Sequence, residues 1–138
     1  MRVSADNEEI LSYISPRQEE CIIPIEDVIY NGGGYVGTNS LMYRSSLEKN
    51  NMKFRQFWRI DYTLQIFGSL RGGMLYLPET MSAYRWLSDG SWTSKQTTDK
   101  KKLKIVLDKK ITALNILNEE TNYTHSQIIN ETIAKEEF

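Results

Sequence analysis

The stretch FWRIDYTLQIFGSLRGGMLYLPETMSAYR, residues 57–85, decides the expected fold because it is the densest run of apolar and aromatic residues in the chain. Its apolar residues recur at close to helical spacing from Ile60 onward, and the pair Gly72-Gly73 is a typical helix end. The residues after the glycines predict two short strands that are separated at Pro78. A helix followed by two strands is therefore the expected centre of the domain.

Further helices are predicted on both sides of this centre. In CIIPIEDVIYNGGG, residues 21–34, Pro24 fits the first turn of a helix, and the glycines fit its end. An apolar stripe at helical spacing predicts a long helix from about Thr98 to Asn118. The segment THSQIINETIAKEEF, residues 124–138, predicts a last helix with an apolar face.

Two shorter segments complete the pattern. The segment GTNSLMYRSSLEKN, residues 37–50, predicts a strand from about Asn39 to Tyr43 that leads into a brief helix. The apolar residues at positions 10–14 predict one short helical turn. Short strands that alternate with helices indicate an α/β domain.

The expected organisation is a small sheet of short strands flanked by helices, with two further helices at the C-terminus. The chain has 138 residues, which suits one domain and is enough to bury a core. We divide it into a lead-in segment (residues 1–20), a central part (residues 21–96) and a helical extension (residues 97–138).

The composition narrows the classes of function. The 17 basic and 18 acidic residues nearly cancel, so the chain has no electrostatic footprint for nucleic acid or for an anionic membrane surface. A single cysteine excludes an internal disulfide, and a single histidine disfavours a zinc site. No apolar run approaches the roughly 20 residues of a membrane span, and the N-terminus lacks the apolar core of a signal peptide. We therefore expect a cytoplasmic protein, with the inner face of the membrane as a further option.

Asp61 raises the central functional question because it is an acidic residue at the start of the central helix. Aspartate is among the best helix N-caps, since its side chain accepts bonds from the free N–H groups of the first turn. A carboxylate at a helix mouth is also well placed to accept a proton from a hydroxyl group. The two roles are compatible, and the residue alone does not choose between them.

Three other features each have a functional and a structural interpretation. The glycines of NGGGYVGTNS, residues 31–40, permit close approach of a ligand but also end a helix, and they do not match a phosphate-binding loop. Aromatic side chains suit sugar rings but more often belong to the core. The basic residues between positions 100 and 110 are typical of a solvated helix face. The aromatic residues in question are Tyr76, Tyr84, Trp86 and Trp92.

Taken in chain order, several short motifs resemble the C-terminal half of the inverting family-two glycosyltransferases. They are NGGGYVGTNSLMYRSSL, WRIDYTLQI, RGGMLYLPETMSAYR and GSWTS, and together they cover about residues 21–94. The resemblance implies a GT-A fold. It also implies transfer of a sugar, with inversion, from a nucleotide-sugar donor to a glycan or lipid-linked acceptor, as in the synthesis of cell-wall or surface polysaccharides.

The resemblance also assigns roles to residues. Asp61 would be the catalytic base that activates the acceptor hydroxyl. Two positions depart from the common pattern: Ile60 precedes Asp61 where the family often has Glu or Gly, and Trp86 or Leu87 stands where a histidine is usual. The substrate-binding residues that we carry over are Gly34, Thr38, Tyr62, Arg85, Ser91 and Trp92.

In this family a nucleotide-binding half precedes the acceptor half and holds a divalent metal, Mg²⁺ or Mn²⁺, with an Asp-x-Asp motif. This sequence contains no Asp-x-Asp. We therefore expect that this chain holds no metal and no cofactor, and that it is inactive without the other half. It would be either a fragment of a longer enzyme or a half-domain that works with another chain.

Two functions of a different kind remain open. The C-terminal helices could dock a partner protein in a non-catalytic interaction module, because each carries an apolar face. The aromatic residues Tyr76, Trp86 and Trp92 could instead form a weak sugar-binding module. The sequence predicts no oligomeric state.

Overall fold

Five strands and five α-helices make up the part of the chain that the computed structural model describes. These described residues are 1–4, 6, 9–49, 51–86 and 100–137. The mixture of helices with small sheets confirms the α/β class that the sequence predicts.

The strands form two separate small sheets. The first sheet contains β1 (Arg2–Ser4), β2 (Ile10–Ser12) and β5 (Tyr84–Trp86) in the order β2-β1-β5. β1 pairs antiparallel with β2 and parallel with β5. The second sheet pairs β3 (Cys21–Ile23) antiparallel with β4 (Met74–Tyr76). The two strands predicted around Pro78 are confirmed, but they belong to different sheets.

The helices confirm the periodic patterns of the sequence. They are α1 (Ile25–Asn31), α2 (Lys53–Phe57), α3 (Asp61–Ser69), α4 (Lys100–Glu120) and α5 (Ser126–Glu137). The helix expected in residues 57–85 is α3, and the backbone leaves it through two glycines with positive φ, at +112° and +88°. A positive φ strains any residue with a Cβ, which explains why the helix ends there.

One prediction for the N-terminal segment is wrong. The apolar residues at positions 10–14 do not form a helical turn, because Ile10–Ser12 is the strand β2. Its backbone pairs with β1, with Val3 opposite Ile10 and Arg2 opposite Ser12. Pairing with β1, the preceding strand of the chain, overrides the local helical pattern, as tertiary context often does in segments this short.

The strand predicted from Asn39 to Tyr43 is also wrong. Thr38–Ser40 is a short 3-10 helix, and the residues after it have no partner strand among the described residues. Local bonds hold the turn, because both the backbone N–H and the hydroxyl of Ser40 donate to the carbonyl of Gly37, at 3.0 and 2.7 Å. A serine that bonds its own backbone in this way competes with strand pairing. The brief helix predicted next is present as a 3-10 helix at Ser45–Lys49.

One hydrophobic core joins α1, α2 and α3 to the C-terminal helices. Its fully buried members include Phe54 of α2, Ile66 of α3, Leu117 of α4 and Ile129 of α5. The first turns of α4 lie outside this core, since Leu103 is 48% exposed. The second half of α4 and helix α5 therefore complete the core of the central part.

Lys110 connects three of these helices. Its Nζ donates to Glu136 of α5 at 2.6 Å and lies 4.8 Å from the ring centroid of Tyr62 in α3. The ammonium group is largely covered, and it has both a carboxylate partner and an aromatic face. This contact fixes the start of α3, where Asp61 lies, relative to α4 and α5.

Replacing Glu120 by alanine is expected to lower the free energy of unfolding by about 1–2 kcal/mol. Helix α2 has no side-chain cap of its own. The carboxylate of Glu120 serves instead, because it accepts the N–H groups of Lys53 and Phe54 at 2.7 and 3.0 Å. Urea unfolding measures the loss. The matched control is Glu119→Ala, an exposed neighbour, and equal losses in the two variants would contradict the capping role.

Candidate functional site

Asp61 is the first residue of α3, and it is not the helix cap. The N-cap is Ile60, whose N–H donates to the hydroxyl of Thr63 at 3.4 Å. Thr63 is buried and its hydroxyl donates in turn to the carbonyl of Trp58. The carboxylate of Asp61 makes no capping hydrogen bond among the described residues. It lies exposed at the positive end of the helix, where a negative charge is stabilised.

Thr38 holds the carboxylate in place. Its hydroxyl donates a hydrogen bond to Oδ2 of Asp61, and both residues are exposed. The next residue, Asn39, donates from its side-chain amide to the carbonyl of Ala83 at 3.1 Å. The loop after α1 is thus tied to the start of α3 on one side and to the lead into β5 on the other. Two residues that the sequence analysis nominated, 23 positions apart, are in direct contact.

The glycine-rich loop packs against α3 through Gln65. The side-chain amide of Gln65 donates to the carbonyls of Gly33 and Val36, at 3.2 Å in each case. A Cβ on Gly33 would lie 3.2 Å from the Cβ of Tyr62, which is closer than most such contacts, so this approach favours a glycine. The loop therefore lies on the first turns of α3. Gly34 is exposed, with open space around it.

Tyr62 is buried in the core and does not face the candidate site. Its side chain is 2% exposed, and its hydroxyl donates to the carbonyl of Ile29 at 2.7 Å. Burial, with a smaller contribution from the Glu136 carboxylate, raises the pKa of this phenol, so it stays neutral. The structure places Tyr62 beneath Asp61 as an anchor between α3 and α1.

The other nominated residues are not brought to Asp61 by a described contact. Arg85 is exposed on β5 and pairs through its backbone with Val3 of β1. Ser91 and Trp92 lie outside the described residues. The part of the site that the structure describes is therefore the pair of Asp61 and Thr38 with the loop that carries Thr38.

A cleft of about 900 Å³ opens beside this pair. Its walls are residues 13–15, the loop 36–47, one face of α3, and the segment 73–84. Asp61 and Thr38 do not line it, but Gly37 and Asn39 do, so Thr38 lies at its edge. The sequence does not predict this cleft, because its walls come from four separate segments that only the folded chain brings together. The large side chains of its walls include Tyr13, Met42, Tyr43, Tyr76, Leu77, Met81 and Tyr84.

The described residues offer no ligand set for a metal ion, since no three His, Cys, Asp or Glu side chains are grouped there. None of the helices in the described ranges is both long enough and apolar enough to cross a membrane. No protein-family model, curated protein or solved structure matches this chain.

Proposed function

We propose that this chain is the acceptor side of an inverting glycosyltransferase of the GT-A type and supplies its catalytic base. The proposal follows from the motif resemblance. Its support in the structure is one observation, the contact between Thr38 and Asp61. This contact holds an exposed carboxylate in one orientation at a helix start and beside a large cleft. A general base needs such a position, since it must reach a hydroxyl that enters from outside.

The proposed chemistry is a single displacement. Asp61 accepts the proton of an acceptor hydroxyl as the hydroxyl oxygen bonds to the anomeric carbon of the donor sugar. The bond from that carbon to the nucleoside diphosphate breaks at the same time, and the diphosphate leaves with the electron pair. Attack on the face opposite the leaving group inverts the anomeric centre, and the base belongs on the acceptor side.

The donor half of the reaction is proposed to lie outside this chain. The resemblance implies a divalent metal that stabilises the leaving diphosphate, and the described residues do not fit such a site. We therefore assign no step of the mechanism to a metal held here. The proposed partners are a nucleotide-sugar donor and a carbohydrate acceptor, in a cytoplasmic setting that includes the inner membrane face.

The test is the stereochemistry of transfer. The native full-length protein, or this chain together with its nucleotide-binding half, is incubated with a set of nucleotide sugars and a glycan mixture. We expect a glycoside whose anomeric configuration, read from the NMR coupling constant, is opposite to that of the donor. A product that retains the donor configuration, or no transfer from any donor, would contradict the proposal.

A further inference from the structure

We propose that the cleft beside Asp61 binds a carbohydrate that carries a negatively charged group, a phosphate or a carboxylate. This inference deepens the proposed function, because it names the class of acceptor. Four features of the cleft carry it: an empty position on the helix surface, a buried hydrogen-bond acceptor, exposed aromatic and methionine walls, and two arginines.

The empty position is Gly68 in the middle of α3. A glycine inside a helix is less favourable than alanine by roughly 0.5–1 kcal/mol. Such a glycine usually makes room for a packed neighbour, but a Cβ on Gly68 would have no heavy atom of another described residue within 4 Å. Gly68 is exposed and lines the cleft. Its missing side chain therefore leaves space that no other described residue fills.

The floor beside Gly68 offers a buried hydrogen-bond acceptor. Gln65 is 2% exposed and lines the cleft, three residues before Gly68 on α3. Its amide nitrogen bonds two backbone carbonyls, which fixes the orientation of the amide and leaves Oε1 without a partner among the described residues. A buried acceptor with no donor is unfavourable. A hydroxyl group is a donor of suitable size, from a bound ligand or from water.

The walls are apolar and aromatic but face the solvent. Met42 is 90% exposed, Met81 68% and Tyr13 59%, and all three line the cleft. Tyr43, Tyr76 and Tyr84 line it too. Tyrosine combines a flat apolar face with a polar hydroxyl, so the walls suit the apolar faces and hydroxyl groups of sugar rings. Ligand sites of this volume are typically lined in this way.

The charges of the cleft favour an anion. Arg44 and Arg71 both line it and are both exposed. Neither guanidinium makes a hydrogen bond or ion pair with another described residue. Glu79 is the one acidic residue among the described lining residues. Two unpaired arginines present planar pairs of donors that match a phosphate or a carboxylate.

Binding is measured by calorimetry on the full chain without a donor nucleotide. The probes are a tetrasaccharide of uronic acid residues, a neutral tetrasaccharide, and the same neutral tetrasaccharide with one phosphate monoester. We expect one or both charged probes to bind at least tenfold more tightly than the neutral one, and the tighter of the two identifies the source of the charge. Equal binding of all three probes, or no binding of any, would overturn the inference.

Gly68→Ala tests the cleft more directly, because this variant should raise the thermal stability of the protein and lower its affinity for the charged probe. We expect the melting temperature to rise by about 3 °C, since alanine favours the helix and meets no neighbour. We also expect binding of the charged probe to weaken at least tenfold, because the new methyl group occupies ligand space. The control is Asn130→Ala, an exposed site on α5, which should leave binding unchanged. Unchanged affinity in Gly68→Ala would overturn the inference.

The charge requirement has its own pair of variants. Arg71→Gln should weaken binding of the charged probe about tenfold and leave binding of the neutral probe unchanged. Lys109→Gln removes an exposed charge from α4, away from the cleft, and should change neither. Because these measurements need no transfer reaction, their failure leaves the stereochemical test of the proposed function standing. A failed transfer reaction likewise leaves the binding result intact.

Discussion

Replacing Asp61 by asparagine should lower the rate of sugar transfer at least about 100-fold, since a positioned general base contributes roughly 10²–10⁴ to the rate. Asparagine keeps the size of the side chain and can still accept the hydrogen bond that Thr38 donates. The fold should be retained, because the Ile60 N–H bonds Thr63 without the carboxylate and losing the charge at the helix start costs only about 0.3–1 kcal/mol. The variant therefore separates loss of the base from loss of structure. The measurement is turnover of the nucleotide sugar by the complete protein, with urea unfolding alongside.

Two further variants make this result specific. Asp108→Asn removes an exposed acid from α4 and should leave transfer unchanged. Thr38→Val removes the hydroxyl that orients Asp61 and should lower the rate less than Asp61→Asn does, because the base itself remains. Near-normal transfer by Asp61→Asn would remove Asp61 from the mechanism. A Thr38→Val variant as slow as Asp61→Asn would instead make the hydroxyl essential in its own right.

The sequence predicts the helices well because each carries enough turns to show a period. The apolar spacing after Ile60 and the two glycines located α3 to within a few residues, and the stripe in the C-terminal part located α4. These signals are local. They depend on neighbouring turns of one helix and on the backbone freedom of glycine.

The three-residue strands are harder to predict from the sequence, because a period of two barely shows in so few residues. Arg2–Ser4 was not predicted as a strand, although it is the middle strand of the first sheet. Its partner β5 lies about 80 positions away in the chain, and the two pair in parallel. Such a pairing depends on how the intervening helices pack, which no local pattern records.

For the candidate site, too, the sequence indicates individual residues but not the contacts between distant segments. Asp61 and Thr38 were both nominated from motifs, but only the folded chain shows that they touch. Tyr62 was nominated with them. Its position next to Asp61 in the sequence does not show that its side chain is buried in the core. The cleft went unnoticed because the methionines and tyrosines of its walls come from separate loops and from the strands β4 and β5, which only the folded chain brings together. A signal was present in Gly68, because a glycine inside a helical pattern makes the helix less stable than an alanine would.

Replacing Gly73 by alanine should lower the free energy of unfolding by about 3 kcal/mol or more. Gly73 has a φ of +88°, which strains any residue with a side chain. A Cβ there would also lie 2.5 Å from the carbonyl oxygen of Ile23 and 2.8 Å from the Cγ2 of Ile22. Those residues belong to β3, which pairs with β4 directly after Gly73. The variant must therefore push the two strands of the second sheet apart.

Gly72→Ala is the matched control that separates strain from collision. Gly72 has a φ of +112°, but a Cβ there would have no neighbour within 4 Å in the part of the chain that the structure describes. Gly72→Ala should therefore lower the free energy of unfolding only by the backbone strain, about 1–2 kcal/mol. Urea unfolding of both variants gives the difference, which measures the contact between Gly73 and β3. Equal losses would mean that the strands move apart without resistance. A larger loss for Gly73→Ala would show that β4 must lie close against β3, in the segment that also forms one wall of the cleft.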